Sequence, residues 1–345
     1  MDNPYSLMFG KEPVQIISRT VQTDEVCNSF SATTPSQQIY MITGVRGSGK
    51  TVFMTDIQNR FSKEKDWVTV ELNPAKDMLT ALAAKLYNNR KITTIIKNAK
   101  INLSFYGIGV EIKGVDPITD IEIAIQRILE TLKKQNKRVL ITIDEATSTP
   151  EMKVFASAFQ IFVRNDLPVF LLMTGLYENI NALQNDKMLT FLYRAPKINL
   201  KALNLTSIAN NYRDTFGLSE DSSIEMARLT RGYPFAFQVL GYYTFINKGN
   251  YKASLDAYRE YLDDYVYEKM WSEMSANDRR VVHAMAISKT GKIEEIRRLL
   301  SMEPNEFSPY RDRLIKRGLI NGDERGFVRF TLPFFEQYAL ANYFE

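Results

Sequence analysis

The sequence predicts an α/β protein: a mainly parallel sheet sandwiched by helices, followed by an α-helical lid and a winged-helix domain. Three observations carry this. Apolar runs at 39–43, 67–72, 138–143, 168–173 and 194–200 alternate with stretches of helical apolar spacing, the order of successive βαβ units. A glycine-rich turn, Gly44-Val45-Arg46-Gly47-Ser48-Gly49, joins the first run to the first such stretch. From Leu205 the strand signal stops, and only helical patterns follow until a short polar-tipped hairpin near the C-terminus.

Length and composition set the frame. At 345 residues, with 45% hydrophobic and 24% charged residues, the chain is expected to fold as two or three domains. No apolar run reaches membrane-spanning length, and Met1-Asp2-Asn3-Pro4 is not a basic stretch leading into an apolar one. A secretory signal is therefore not expected, and the cytosol is the expected compartment. One cysteine, Cys27, and one histidine, His283, exclude an internal disulfide framework and argue against a Cys/His metal site. A net charge of +4 with both signs interspersed argues neither for nor against a polyanionic partner.

Taken in order, residues 1–38 read as an extended lead-in, a helix over about 19–30, and a loop at 31–36. Ile16, Ile17 and Arg19 stand equally as contacts to an adenine or as plain packing residues. Residues 39–51 are the informative stretch. Gly44, Gly49, Lys50 and Thr51 match G-x-x-x-x-G-K-[ST] between an apolar run and a helix carrying Val52, Phe53, Ile57 and Phe61, the phosphate-binding P-loop. Glycines let the chain fold back so that several N–H groups of Gly44, Val45, Arg46, Gly47, Ser48, Gly49, Lys50, Thr51 and Val52 converge on one phosphate group. The helix dipole reinforces them. Lys50 supplies a cation for the β- and γ-phosphates, and the Thr51 hydroxyl can ligate Mg²⁺.

A second strand at 67–72 precedes a helix opened by Asn73-Pro74. Residues 101–114 alternate about Gly107 and Gly109 and predict a β-hairpin insertion. A long helix from 116 to about 136 leads to the strand 138–143, which delivers Asp144 and Glu145 at its C-terminal end. Downstream of a P-loop, this pair fits the metal-and-water side of a nucleotide site: Asp144 in the Mg²⁺ shell, Glu145 orienting and polarising the attacking water. A helix at 150–165 precedes the fourth strand, which ends at Thr174. Thr174 either hydrogen-bonds the γ-phosphate or the lytic water, or caps the next helix. A helix at 176–184 leads to the fifth strand at 194–200.

The remainder reads as helices at 205–216, 221–229, 233–246 and 252–270, with Pro234 tolerated in a first turn. Tyr242, Tyr243, Tyr258, Tyr261, Tyr265 and Tyr267 read as core and half-buried surface rather than as a base-stacking platform. Helices at 278–287, 292–302 and 305–317, a cap at Gly318, and strands 319–320 and 327–330 about a polar tip make a winged helix.

On these residues the chain resembles P-loop ATPases of the AAA+/STAND group, closest in layout to origin-recognition-type initiator ATPases. The resemblance implies a nucleotide domain at 1–203, a helical lid at 204–271 and a winged helix at 272–345. It makes 44–51 the Walker A and 139–145 the Walker B motif, with ATP or ADP and Mg²⁺ as cofactors. Thr174 falls at the family's sensor 1. Arg194 is placed like an arginine finger lent to a neighbouring subunit, the alternative being a plain surface arginine. The lid departs from the initiators. Gly232-Tyr233-Pro234 resembles the Gly-x-Pro motif of STAND proteins, whose proline packs near the adenine, and the initiators' sensor 2 arginine is missing, with Arg231 one step outside. This implies slow turnover and a switch that stays loaded.

Three roles remain open on sequence. A nucleotide-dependent DNA-binding protein would use Arg311, Arg313, Lys316 and Arg317 on the third helix of the winged unit, with Arg325 and Arg329 on its wing. Residues 272–345 nevertheless carry twelve Lys/Arg against eleven Asp/Glu, a weak excess for a DNA footprint. A signalling or defence ATPase would dock a protein partner or self-associate. A nucleotide-binding scaffold would not turn over.

Overall fold

The computed structural model describes residues 2–8, 13–109 and 111–344. They form two compact units, one of residues 20–43 and 50–199, the other of 2–8, 13–19, 44–49 and 200–344.

The first unit contains α1 (Thr20–Ser31), β1 (Ile39–Thr43), α2 (Lys50–Lys63), β2 (Trp67–Leu72), α3 (Met78–Tyr87), α4 (Thr93–Asn98), α5 (Ile121–Lys134), β3 (Arg138–Ile143), α6 (Pro150–Arg164), β4 (Val169–Gly175), α7 (Tyr177–Gln184) and β5 (Lys197–Asn199). The strands form one parallel sheet in the order β2-β3-β4-β1-β5. Burial on both sheet faces explains why the strands read as continuous apolar runs rather than alternating ones; every residue of β1 and β4 is buried. On one face Met41, Ile141, Ile143, Leu171 and Met173 join a core with α3, α5 and α6. On the other an aromatic layer packs Phe30 against Tyr40 (5.5 Å between centroids), Phe61 against Trp67 (4.1 Å) and Trp67 against Phe170 (5.0 Å). Centre strands order β3, β4 and β1 side by side, so the ends of β3 and β4 and the start of α2 gather at one edge of the sheet, where ligands bind in open α/β folds.

Several elements differ from the sequence reading, each for a local reason. No strand forms among the described residues of 101–114, so the expected β-hairpin is corrected to a loop with one 3-10 turn, Ser104–Tyr106. Asn102 causes this: its side chain accepts from Ser104 N (3.1 Å) and donates to Val115 O (2.7 Å), diverting the backbone from strand pairing. Ile101, Leu103 and Ile108 sink individually into the core instead. Position 110 of that stretch, and residues 9–12 of the lead-in, lie outside the described residues. The helices expected from 73 and 116 start later because Asp77 and Asp120 cap them, accepting from Thr80 N (3.1 Å) and Ile123 N (3.0 Å). The fifth strand shrinks to β5, preceded by a 3-10 turn at Thr190–Arg194.

The second unit contains α8 (Leu205–Phe216), α9 (Glu220–Leu229), α10 (Pro234–Ile246), α11 (Leu255–Leu262), α12 (Glu268–Ser272), α13 (Ala276–Ser288), α14 (Ile293–Leu300), α15 (Pro304–Lys316), β6 (Ile320–Asn321), β7 (Arg329–Phe330) and α16 (Phe335–Asn342). The lead-in belongs here: buried Tyr5 packs against Tyr212, Phe216 and Phe237 at 5.9, 5.6 and 5.5 Å, and its hydroxyl donates to Asn211 Oδ1 (2.8 Å). Gly241 makes room, since a Cβ there would strike the Tyr5 ring. The helix expected over 252–270 is broken by a π-helical segment at Asp263–Tyr267. α13, α14 and α15 are followed by the antiparallel pair β6–β7, and a bridge joins Lys292 to Phe327. Gly318 ends α15 with φ 78° as a left-handed cap. Arg231 is held by Glu336, with Nη2–Oε1 at 2.5 Å, and donates to Leu332 O (2.8 Å). α16, which no sequence pattern announced, is thereby tied to the end of α9.

Candidate nucleotide site

In the sheet unit, the carboxyl-terminal ends of β3 and β4 and the first turn of α2 bring four of the expected residues into one hydrogen-bonded group. Thr51 Oγ1 donates to Asp144 Oδ2 at 2.7 Å. Thr174 Oγ1 donates to Asp144 Oδ1 in a short contact. Glu145 N donates to both Asp144 Oδ1 (3.1 Å) and Thr174 Oγ1 (3.2 Å). Thr174 is fully buried in β4, and Leu176, not Thr174, occupies the N-cap of α7. The capping alternative for Thr174 is thereby excluded.

Glu145 is exposed and has a left-handed backbone, φ 54°. For a side chain with a Cβ this costs on the order of 1–3 kcal/mol. The two hydrogen bonds to its N–H, and Ala146 N to Thr174 O at 2.8 Å, hold the turn. Behind it Gly175 eases the fit: a Cβ there would sit 3.1 Å from Ala146 O and 3.0 Å from Ile180, tight enough that a neighbour would have to shift slightly. The carboxylate is thus presented outward by a turn locked from β4. Such strain gathers at functional positions.

Lys50, Thr51 and Val52 open α2, all half-buried. The preceding loop, Gly44–Gly49, packs within the helical unit. Gly47 and Gly49 have φ 74° and 83°, the left-handed values a P-loop needs. The Ser48 hydroxyl is buried with no hydrogen-bond partner among the described residues. Tyr233, at the N-cap of α10, donates its hydroxyl to Arg46 O at 2.6 Å. Its phenol is pushed far above the ordinary range by burial, so it stays a donor. Pro234 lies in van der Waals range of Gly49, 3.8 Å from where a Cβ would stand. Arg46 Nη2 pairs with Glu273 Oε1 at 3.2 Å, and Val45 packs against Gly318. Sequence reasoning missed these partners of the loop, which lie more than 180 residues downstream. Arg19 also reaches it, through Nη2 to Ser48 O (3.3 Å) and Lys201 O (2.8 Å).

Mg²⁺ fits the oxygens that Thr51 and Asp144 bring together. Thr51 and Asp144 place two hard oxygens together at a helix N-terminus, and no cluster of three His, Cys, Asp or Glu residues occurs among the described residues. That donor set matches a Mg²⁺ that draws its remaining ligands from phosphate and water rather than a metal held by protein alone.

Arg194 is exposed at the end of a 3-10 turn, with no ion pair among the described residues. Of the six cations read as a DNA-contact set, four have carboxylate partners. Arg313 and Arg317 face the buried Asp278 at 2.5 and 4.0 Å, Arg311 pairs with Asp312 (3.2 Å), and Arg329 pairs with Glu324 (2.9 Å). Lys316 and Arg325 are exposed and have no ion pair among the described residues.

Residues 30–166 match the family described as an ATPase domain predominantly from Archaea, and residues 264–339 match a family described as a domain of unknown function. Among solved structures, a Walker-type ATPase of Pyrococcus abyssi is similar over 94% of this chain and 96% of its own, at 15% identity and a TM-score of 0.64. The ORC2 protein of Aeropyrum pernix, solved as ADPNP–ADP complexes, is similar over 97% and 95%, at 12% identity and a TM-score of 0.60. No curated protein sequence matches the chain. The class is a P-loop NTPase fold. Within it, the chain carries an ATPase-type domain and resembles origin-recognition-type ATPases.

Proposed function

We propose that the chain is an ATP-binding and ATP-hydrolysing switch, a slow ATPase whose nucleotide state controls the arrangement of lid and winged helix and so its engagement with a protein partner or a second copy. The observation that carries the hydrolytic reading is the hydrogen-bonded group of Thr51, Asp144, Thr174 and the Glu145 backbone. In this reading the N–H groups of 44–52 and the Lys50 ammonium bind the phosphates, and Pro234 lies beside the base. Thr51 and Asp144 hold Mg²⁺, Asp144 through water; the metal would neutralise charge on the phosphates. Glu145 orients and polarises the attacking water. Thr174 keeps Asp144 aimed by donating to it, and its hydroxyl oxygen would be the group that meets the attacking water. Arg194 would complete the site of a neighbouring subunit. The division into nucleotide domain 1–203, lid 204–271 and winged helix 272–345 belongs to the same proposal, as does a cytoplasmic location.

Support for the switch comes from the loop's partners. Arg46 and its neighbours are gripped by Tyr233 at the start of α10, by Glu273 at the end of α12, and by Gly318 at the end of α15. A change in the loop on binding phosphate is therefore felt by both helical segments. Duplex DNA is the alternative partner, and the exposed Lys316 and Arg325 favour it. Arg311, Arg313, Arg317 and Arg329 would first have to leave carboxylates. Size-exclusion with light scattering on Glu145→Gln protein, with and without Mg-ATP and duplex DNA, separates the readings. Mg-ATP alone is expected to change the oligomeric state. A monomer in every nucleotide state that shifts only with DNA would favour the second reading.

A further inference from the structure

We propose that Arg19 and Tyr233 are positioning residues for polyphosphate binding: each holds one carbonyl of the glycine-rich loop from outside, and together they aim the N–H groups of Gly47 and Gly49 at the phosphates. This rests on the reading of 44–51 as a nucleotide loop.

The geometry runs through the peptide plane. No cis peptide occurs in the described chain, so each C=O and the N–H that follows it point in opposite directions. Tyr233 Oη donates to Arg46 O at 2.6 Å, which fixes the direction of Gly47 N–H. Arg19 Nη2 donates to Ser48 O at 3.3 Å, which fixes that of Gly49 N–H. Between the two anchored peptides φ alternates in sign, positive at Gly47 and Gly49 and not at Ser48. That alternation makes successive N–H groups converge into an anion-binding concavity. The buried, unpartnered Ser48 hydroxyl lies in the same turn.

Both braces suit the task chemically. Tyr233 is buried and its hydroxyl meets a carbonyl rather than an acid. Arg19 has no carboxylate partner among the described residues, and its second carbonyl, Lys201 O at 2.8 Å, pins it in place. Burial pushes its guanidinium down to about 10, still charged at neutral pH. A cation spent wholly on carbonyls stays uncompensated until an anion arrives nearby. Arg19 thus serves the phosphates through the loop.

The test is equilibrium binding of a fluorescent ADP analogue to the full chain, followed by displacement with inorganic tripolyphosphate. Tyr233→Phe keeps the ring and removes the hydroxyl; Arg19→Gln removes the charge; Arg19→Lys retains it. The loss of one such hydrogen bond corresponds to about five-fold weaker binding for each of the first two variants. Tripolyphosphate affinity should fall in parallel, Arg19→Lys should recover part of the loss, and the melting temperature should stay close to that of the parent. Parent protein that binds while both variants bind ADP and tripolyphosphate equally well overturns the positioning roles alone. Weakened ADP binding with unchanged tripolyphosphate affinity does so too, since it puts the effect at the nucleoside. A parent that binds neither ligand overturns this inference and the nucleotide reading together. Should Tyr233→Phe not fold, the two Arg19 variants decide.

Discussion

Asp263 shows how one side chain links packing to solution behaviour. It opens the π-helical segment between α11 and α12, its Oδ1 is buried without a hydrogen-bond partner, and Arg259 Nε stands 3.7 Å from Oδ2. Burial raises its pKa to about 6; Arg259 opposes that and Asp264 adds to it. The sign follows from proton linkage. Between about pH 4 and pH 6 the folded chain keeps a proton that the unfolded chain has released, so stability falls as pH rises through that window and levels off above it. Asp263→Asn should therefore raise the melting temperature at pH 7.5 and change it little at pH 4.5, as read by thermal unfolding followed by circular dichroism. At the same scale, the residues of the motifs were legible because their meaning is local: Gly44, Gly49, Lys50 and Thr51 are adjacent in sequence, and Asp144 and Glu145 end one apolar strand. The partners that tune them were not. Arg313 reads from sequence either as a DNA contact or as a solvated or internally paired cation, and only folding sets it against Asp278, 35 residues earlier.

Between elements, the loop 44–49 and the C-terminal end of α12 form the connection that matters most. Arg46 and Glu273 are each about one-third exposed, and Lys269 also approaches Glu273 at 3.4 Å. A pair so exposed contributes roughly 0.2–1 kcal/mol. Glu273→Lys reverses it and should speed release of a fluorescent ADP analogue about two- to five-fold in a stopped-flow chase, the loop being freed from its helical brace. Unchanged release would show that the loop does not sense α12. Strand and helix alternation made most elements readable, since buried parallel strands and amphipathic helices have unlike periods. The stretch 101–114 misled because its alternating apolar residues are buried one at a time around the Asn102 turn. The π segment at Asp263–Tyr267 keeps helical spacing and so leaves no mark in the pattern.

For the whole molecule, a net charge of +4 is too small to imply a polyanionic partner, and the carboxylate pairing of Arg311, Arg313, Arg317 and Arg329 explains why a cluster of cations in residues 311–329 need not be a DNA footprint. The chemistry is concentrated at the strand ends, so everything else depends on whether triphosphate is cleaved there. The decisive measurement is phosphate release by the purified chain beside Glu145→Gln, with nucleotide binding recorded on both. The account predicts slow release by the parent, its loss in the variant, and ATP binding retained by each. Release that persists undiminished in Glu145→Gln, or a parent that binds no nucleotide, would contradict it.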